Sequence, residues 1–253
     1  MKNMVDLHTH ILPGMDDGAG SWEDSLCMAR MAADCGVRCI AATPHSCGNG
    51  TFDPAMAGRV RQGVSYLQKK LDEQQIPIVL VTGMEILADE GMAHLLREGS
   101  LLSYGDTLNV LVEFRFDEDP VRTLVLLEEL TGAGYVPLVA HPERYPFVQQ
   151  EPDLAADWAA QGCFLQVNQG SLLGRFGMEA GICGRELLGR GLVSAIASDA
   201  HSPVRRTTDM SEVTGRLEEA AVPGAARRLL SENPLRILQG LEPLPVGPVA
   251  FPY

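Results

Sequence analysis

Several features that would narrow a function at once are absent from this 253-residue sequence. No apolar run nears the roughly 18 residues of a membrane span. Asp6, His8 and His10 interrupt what would be the apolar core of a leader, so neither a span nor a leader is expected and the predicted location is cytoplasmic. The six cysteines (Cys27, Cys35, Cys39, Cys47, Cys163, Cys183) form no C-x-x-C pair, which points to reduced thiols and several small core residues. None has an Arg six positions later, excluding the C-x₅-R loop of thiolate phosphatases. No G-x-G-x-x-G follows the first strand pattern, so a dinucleotide site has no support. Positive charge is also scarce: 20 basic against 33 acidic residues give a net charge of −13. Such a surface repels polyphosphate backbones and disfavours nucleic acid as a partner. Lysine is scarcest of all, with Lys2, Lys69 and Lys70 the full set.

What the chain does have is 45% hydrophobic content, enough for one sizeable core, at a length near the roughly 250 residues of an α/β barrel. Short apolar strands are expected at 5–10, 37–43, 76–82, 110–112, 136–140, 163–168 and 193–197. Helical patterns alternate with them. One starts at Ser21 with Asp24 three later and stops at Gly36; another opens at Asp53-Pro54 and carries Val60, Val64, Leu67 and Leu71 at helical spacing. Others cover 91–97, 119–131, 152–161, 177–189, 209–219 and 224–230. Strands apolar throughout, alternating with helices, indicate a parallel sheet covered on both sides. Seven such units without a linker favour a single closed barrel over 1–238, with an open doubly wound sheet as the alternative. Pro243, Pro245, Pro248 and Pro252 make 239–253 an extended tail.

The sequence is organised around Val5-Asp6-Leu7-His8-Thr9-His10. Residues i and i+2 of a strand share a face, and two imidazoles on one face suit a divalent transition metal. Asp16-Asp17-Gly18 brings carboxylates back in a turn. Of the six histidines, His8, His10, His45, His141 and His201 fall at or just past the C-terminal end of an expected strand. Glu85, Glu113 and Asp199 take the same place on theirs. Active sites of α/β barrels are built on that face. His94 falls in a helical pattern and reads as a surface residue. Imidazoles and carboxylates without thiolate fit Mn²⁺, Fe²⁺ or Zn²⁺. Nine candidates exceed what one ion needs, and closely spaced ions suit phosphoryl transfer. Arg144, just after His141, and Arg206 (or Arg205), just after His201, are placed to bind a phosphate bidentately. No lysine lies at a strand end, which counts against an amidohydrolase with a carbamylated lysine.

The stretches D-L-H-T-H-I-L-P-G-M-D-D-G-A, A-T-P-H, T-G-M-E-I, L-V-E-F, V-A-H-P-E-R-Y, Q-G-S-L-L-G-R-F-G and A-S-D-A-H span residues 5 to 206. In that order they resemble the PHP superfamily (polymerase and histidinol phosphatase). Within it the D-D-G-A turn, H-P-E-R-Y and S-L-L-G-x-F-G resemble the bacterial metal-dependent protein-tyrosine phosphatases of capsule and exopolysaccharide operons, the CpsB-like group. The resemblance implies a distorted (β/α)₇ TIM-like barrel with three metal ions, usually Mn²⁺. His8, His10, Glu85 and Asp199 would hold the first ion. Glu85, Glu113 and His141 would hold the second, and Asp17, His45 and His201 the third, with Asp17 preferred to Asp16. Arg144 and Arg206 would grip the phosphoryl group. A hydroxide bridging the ions would attack phosphorus without a phosphoenzyme. The implied substrate is a phosphotyrosine protein, such as a bacterial tyrosine kinase controlling polysaccharide export; the oligomeric state stays open. Histidinol phosphatase or another small phosphomonoesterase is the alternative enzyme, and a non-catalytic kinase-binding regulator the alternative of another class. Three positions depart from relatives or stay open. Ser46-Cys47 follows His45, with Cys47 read as a loop residue; Arg115 follows Phe114 and would add positive charge at the mouth; Gln166 and Asn168 would support ligands or be satisfied locally.

Overall fold

The computed structural model describes residues 1–47, 51–220 and 222–252. Strands β1 (Met4–Thr9), β2 (Val37–Ala42) and β3 (Val79–Thr82) form one parallel sheet in that order. Strands β4 (Glu85–Leu87), β5 (Asn109–Glu113), β6 (Val136–Ala140), β7 (Phe164–Asn168) and β8 (Ala195–Ala197) form a second. Parallel bridges Thr9–Ala200 and His45–Glu85 join the two sheets, so the strands close into a ring. The third expected strand, 76–82, is β3, and β4 is a further short strand the sequence pattern did not show. The two are parted at Gly83-Met84, where β3 leaves β2 and β4 takes up β5. A Cβ on Gly83 would lie 3.1 Å from both the Thr43 methyl and the Tyr104 ring. That close approach explains the glycine at the break.

The helices begin and end for local reasons. In α1 (Trp22–Cys35) the Ser21 hydroxyl accepts from the Asp24 N–H at 3.1 Å, and Gly36 closes the helix at φ 106°. In α4 (Pro120–Gly132), numbered after α2 (Met56–Glu73) and α3 (Met92–Arg97), the Asp119 carboxylate caps the Val121 N–H and Pro120 takes the first turn. Two apolar layers result. Met4, Ile40, Val110, Val112, Val139 and Leu165 face outward under the helices. Inside the ring lie Val5, Leu7, Ala41, Leu111, Leu138, Ala140, Ala195 and Ala197 around Tyr104, whose hydroxyl donates to the Leu7 carbonyl at 2.8 Å. Ile237 joins this inner layer from beside the strand starts, where the Asn109 side chain donates to its carbonyl at 2.6 Å. Both the ring interior and its lower end are thus packed, and space for a site is left at the strand ends.

The described residues of the proline-rich tail carry no helix or strand, and they pack against the barrel. Val246, Val249 and Phe251 are buried in the outer layer, and the Val249 N–H donates to the Leu188 carbonyl at 2.9 Å. Asn233 clasps Leu244 through two hydrogen bonds. Tyr253 lies outside the described residues. Among the described residues no helix is long and apolar enough to cross a membrane.

Candidate metal centre at the strand ends

All nine sequence candidates converge at the rim where the strands end. His8 is the fifth residue of β1 and His10 lies just past it; pairing with β2 shifts register between Asp6 and Thr9. Such an irregularity re-aims side chains next to a site. The Asp16-Asp17-Gly18 turn folds directly beneath His10, where a Cβ on Gly18 would overlap the His10 carbonyl. His45 follows β2, Glu85 opens β4 and Glu113 ends β5. His141 follows β6, and Asp199 and His201 follow β8. Among the described residues, three of the five non-glycine residues with positive φ are candidates here: His141 (36°), Asp199 (51°) and Arg206 (52°). Backbone strain of this kind collects at functional sites, where surrounding structure holds it in place.

Glu85 sits at the centre. Its Oε2 lies 3.1 Å from His8 Nε2, 3.2 Å from His10 Nε2 and 3.0 Å from His45 Nδ1, while Oε1 is 2.7 Å from His141 Nε2. Asp199 Oδ1 lies 3.5 Å from the Nε2 atoms of both His8 and His10 and 3.6 Å from His201 Nδ1. Both Glu85 Oε2 and Asp199 Oδ1 are buried, and neither has a hydrogen-bond partner. His8 Nε2 and His10 Nε2 face each other at 3.2 Å. Ring nitrogens and carboxylate oxygens crowded without hydrogen-bond geometry fit donors converging on cations. Four sets have ligand atoms close enough to share an ion: His8, His10 and Glu85; His8, His141 and Asp199; His45, Glu85 and Glu113; and His10, Asp17, His45 and His201.

Second contacts fix the rings. His8 Nδ1 meets Gln166 Oε1 at 2.9 Å, and Gln166 in turn donates to Asn168 Oδ1. The Asn168 amide donates to Asp199 Oδ2 at 2.5 Å. His10 Nδ1 meets Asp16 Oδ2 at 2.7 Å, and that same oxygen accepts from the His45 N–H. These partners leave each Nε2 aimed at the centre. Asp16 thus stands behind His10, whereas Asp17 faces His45 and His201 at 3.7 and 3.5 Å. The acidic centre draws protons. Burial opposes charge on His45, but the Glu113 and Glu85 carboxylates raise it to about 11. Burial also opposes ionisation of Glu85 and Asp199, but neighbouring histidines, with Arg206 at Asp199, hold both well below the usual carboxylate range. Burial, with His10 and Arg206 adding to it, lowers His201 to about 3 and keeps it a neutral donor. A centre that gathers protons onto imidazoles is one that cations can occupy by displacing them.

The two arginines flank Asp199. Arg144 Nη1 is 3.2 Å and Arg206 Nη2 2.5 Å from Asp199 Oδ2; Arg205 is exposed on the surface. Arg115 does not add free charge at the mouth, because Asp89 and Glu118 each lie 3.4 Å from its guanidinium. Cys47 is half-buried, and its sulfur meets the Ser46 hydroxyl at 3.9 Å. His94 sits on the surface beside Glu98. Sequence reasoning gave no role to Phe116 and Phe176, whose rings lie 5.3 and 4.5 Å from the Arg144 guanidinium, or to Glu143. The buried Glu143 carboxylate accepts from the Ser171 hydroxyl and the Asn168 N–H. Phe176 and Glu143 lay within the S-L-L-G-R-F-G and H-P-E-R-Y stretches, whereas nothing in the sequence pointed to Phe116.

Comparison with known proteins agrees with this geometry. The tyrosine-protein phosphatase YwqE of Bacillus subtilis is 38% identical over 216 residues, covering 85% of this chain and 84% of that protein. The tyrosine-protein phosphatase CpsB of Streptococcus pneumoniae is 25% identical over 93% of this chain and 98% of its own. A solved structure from work on these two proteins, described as unique metal-dependent tyrosine phosphatases, superposes with a TM-score of 0.89 at 34% identity. It covers 99% of this chain and 100% of the other. Residues 4–239 match the family described as Capsular polysaccharide synthesis, CpsB/CapC, and the chain belongs to that family.

Proposed function

We propose that the protein is a metal-dependent phosphatase that hydrolyses phosphotyrosine on proteins, with three divalent ions, Mn²⁺ foremost. Its substrate on this reading is a cytoplasmic bacterial tyrosine kinase that governs polysaccharide export. The observation that carries the reading is the pair of buried, unpartnered carboxylate oxygens, Glu85 Oε2 and Asp199 Oδ1, amid five histidines with two arginines directly behind. His8, His10, Glu85 and Asp199 would hold one ion, Glu85, Glu113 and His141 a second, and Asp17, His45 and His201 a third. When bound, such ions supply Lewis-acid charge and lower the pKa of a water enough to make it nucleophilic near neutral pH. All six cysteines are free, which suits a reducing compartment.

The chain's own residues supply the rest. Asp199 Oδ2 holds Arg144 and Arg206 side by side, accepting one N–H from Arg144 and pairing in charge with Arg206, which leaves other donors for phosphoryl oxygens. Asn168 braces that same carboxylate, so the phosphate grip and the metal-ligand set share one pivot. Water attacks phosphorus as the phosphorus–phenol oxygen bond breaks, giving inorganic phosphate and the tyrosine hydroxyl. The test is phosphate release from a tyrosine-phosphorylated peptide, with histidinol phosphate alongside, after chelation and again after Mn²⁺ is restored. Peptide turnover that vanishes on chelation and returns with Mn²⁺ is expected. Preference for histidinol phosphate would transfer the site to a small phosphomonoester, and turnover of neither would overturn the phosphatase reading.

A further inference from the structure

The phosphate-binding side of the rim carries an unusual run of alternating rings and guanidiniums. The Arg144 guanidinium lies between Phe116, 5.3 Å from its carbon to the ring centroid, and Phe176 at 4.5 Å. Phe176 in turn lies 5.3 Å from the Arg206 guanidinium. Room for Phe176 is made by Gly170, where a Cβ would come within 2.5 Å of the ring. At the other end Phe116 rests on Tyr145, centroids 5.8 Å apart. Tyr145 is itself locked, its oxygen accepting from the Phe114 N–H at 3.0 Å and its hydroxyl donating to the Ala140 carbonyl at 3.1 Å. Phe116 is thus held in place, yet 49% of its surface is exposed. Its neighbours along the chain point elsewhere: Glu113 joins the metal-ligand set, Phe114 is buried and Arg115 pairs with Asp89.

Resting on the phosphatase reading, we infer that Phe116 determines specificity by receiving the phenyl ring of phosphotyrosine against its exposed face. A guanidinium donates its N–H groups in its own plane, and the Phe116 and Phe176 rings both lie beside that of Arg144. A phosphoryl group that meets Arg144 at its donor edge then has its ester oxygen alongside Phe116. An aryl ester carries its ring directly on that oxygen, within the reach of an offset or edge-to-face pair. An alkyl ester carries a flexible chain that gains nothing there. Phe176 has a different part, spacing the two guanidiniums.

The probes are phenylphosphonate and methylphosphonate, binding measured by calorimetry on the Mn²⁺-loaded protein, wild type against Phe116→Leu and Phe116→Trp. Leucine keeps most of the volume over Arg144 and removes the ring; tryptophan restores a ring. The wild-type preference for phenylphosphonate is expected to fall roughly fivefold in Phe116→Leu and to return in Phe116→Trp. KM for a phosphotyrosine peptide should rise by a similar factor in the leucine variant, with kcat following it little. Equal weakening of both phosphonates would make Phe116 a mere support for Arg144 and overturn the inference. So would a wild-type protein with no preference for the phenyl ligand. Because the binding arm needs no turnover, it reads Phe116 separately from whether the wild type releases phosphate from phosphotyrosine.

Discussion

The two ends of the barrel are made from the same strands and are built on opposite principles. At the starts of the strands, Ile237 and the inner apolar layer fill the ring, and the Asn109 amide satisfies the Ile237 carbonyl. At the ends of the strands His8, His10, Glu85, His141 and Asp199 are as deeply buried, but the site is charged, crowded and partly unpartnered, with positive φ at His141, Asp199 and Arg206. Burying polar groups without partners costs free energy, and so does αL backbone for such residues. The lower end stabilises the fold; the upper end carries the cost of a site that a cation completes. Substitutions at the top should therefore take turnover away, and those at the bottom stability alone.

The largest effect is expected at the top. Glu85→Gln keeps the shape but removes the charge that three imidazole nitrogens and His141 converge upon. Turnover of a phosphotyrosine peptide should fall by at least about 10²–10³-fold. Mn²⁺ retention, read by elemental analysis after gel filtration, should fall with it. Because the surrounding histidines hold the Glu85 carboxyl below its usual range, metal-free thermal stability at neutral pH should fall too, and a metal-free variant as stable as wild type would show that these imidazoles do not pair with Glu85. The next effect belongs to the bottom. Ile237→Ala should cost about 2–5 kcal/mol in denaturant unfolding, while turnover per folded molecule stays near wild type. Loss of turnover from a fully folded sample would mean that the two ends are coupled.

The upper end was far more legible in the sequence than the lower one. His8, His10, His45, His141 and His201 stand where apolar runs stop, and a strand boundary is a local signal that names its own end of the barrel. Ser21 and Gly36 were legible for the same reason, since a cap acts within a few residues. The short strand β4 beyond Gly83 was not, because it is made by pairing with β5, distant in sequence and near in space. The same holds for Phe116 and Phe176. An aromatic in a loop reads as a core residue or a surface accident until the guanidinium beside it is located. The tail divides the two cases: its prolines announce an extended chain, but nothing local announces that Asn233 will clasp Leu244.

The smallest effect expected is none, and it sharpens the contrast between a site that works through imidazole and carboxylate and one that works through sulfur. Burial pushes the thiols of Cys163 and Cys183 up to about 12, and that of Cys39 up to about 11. Alkylation proceeds through the thiolate, and a group with its pKa so far above neutrality offers almost none at pH 7. The thiolate fraction of each grows only as pH climbs toward those values, so labelling should begin with the exposed Cys27 and reach Cys163 and Cys183 only on unfolding. Iodoacetamide treatment at pH 7, with sites mapped by mass spectrometry, should leave Mn²⁺-dependent turnover intact. Inactivation that tracks labelling of Cys47, which sits two residues past His45 beside Ser46, would instead bring sulfur into the rim and revise the ligand chemistry there.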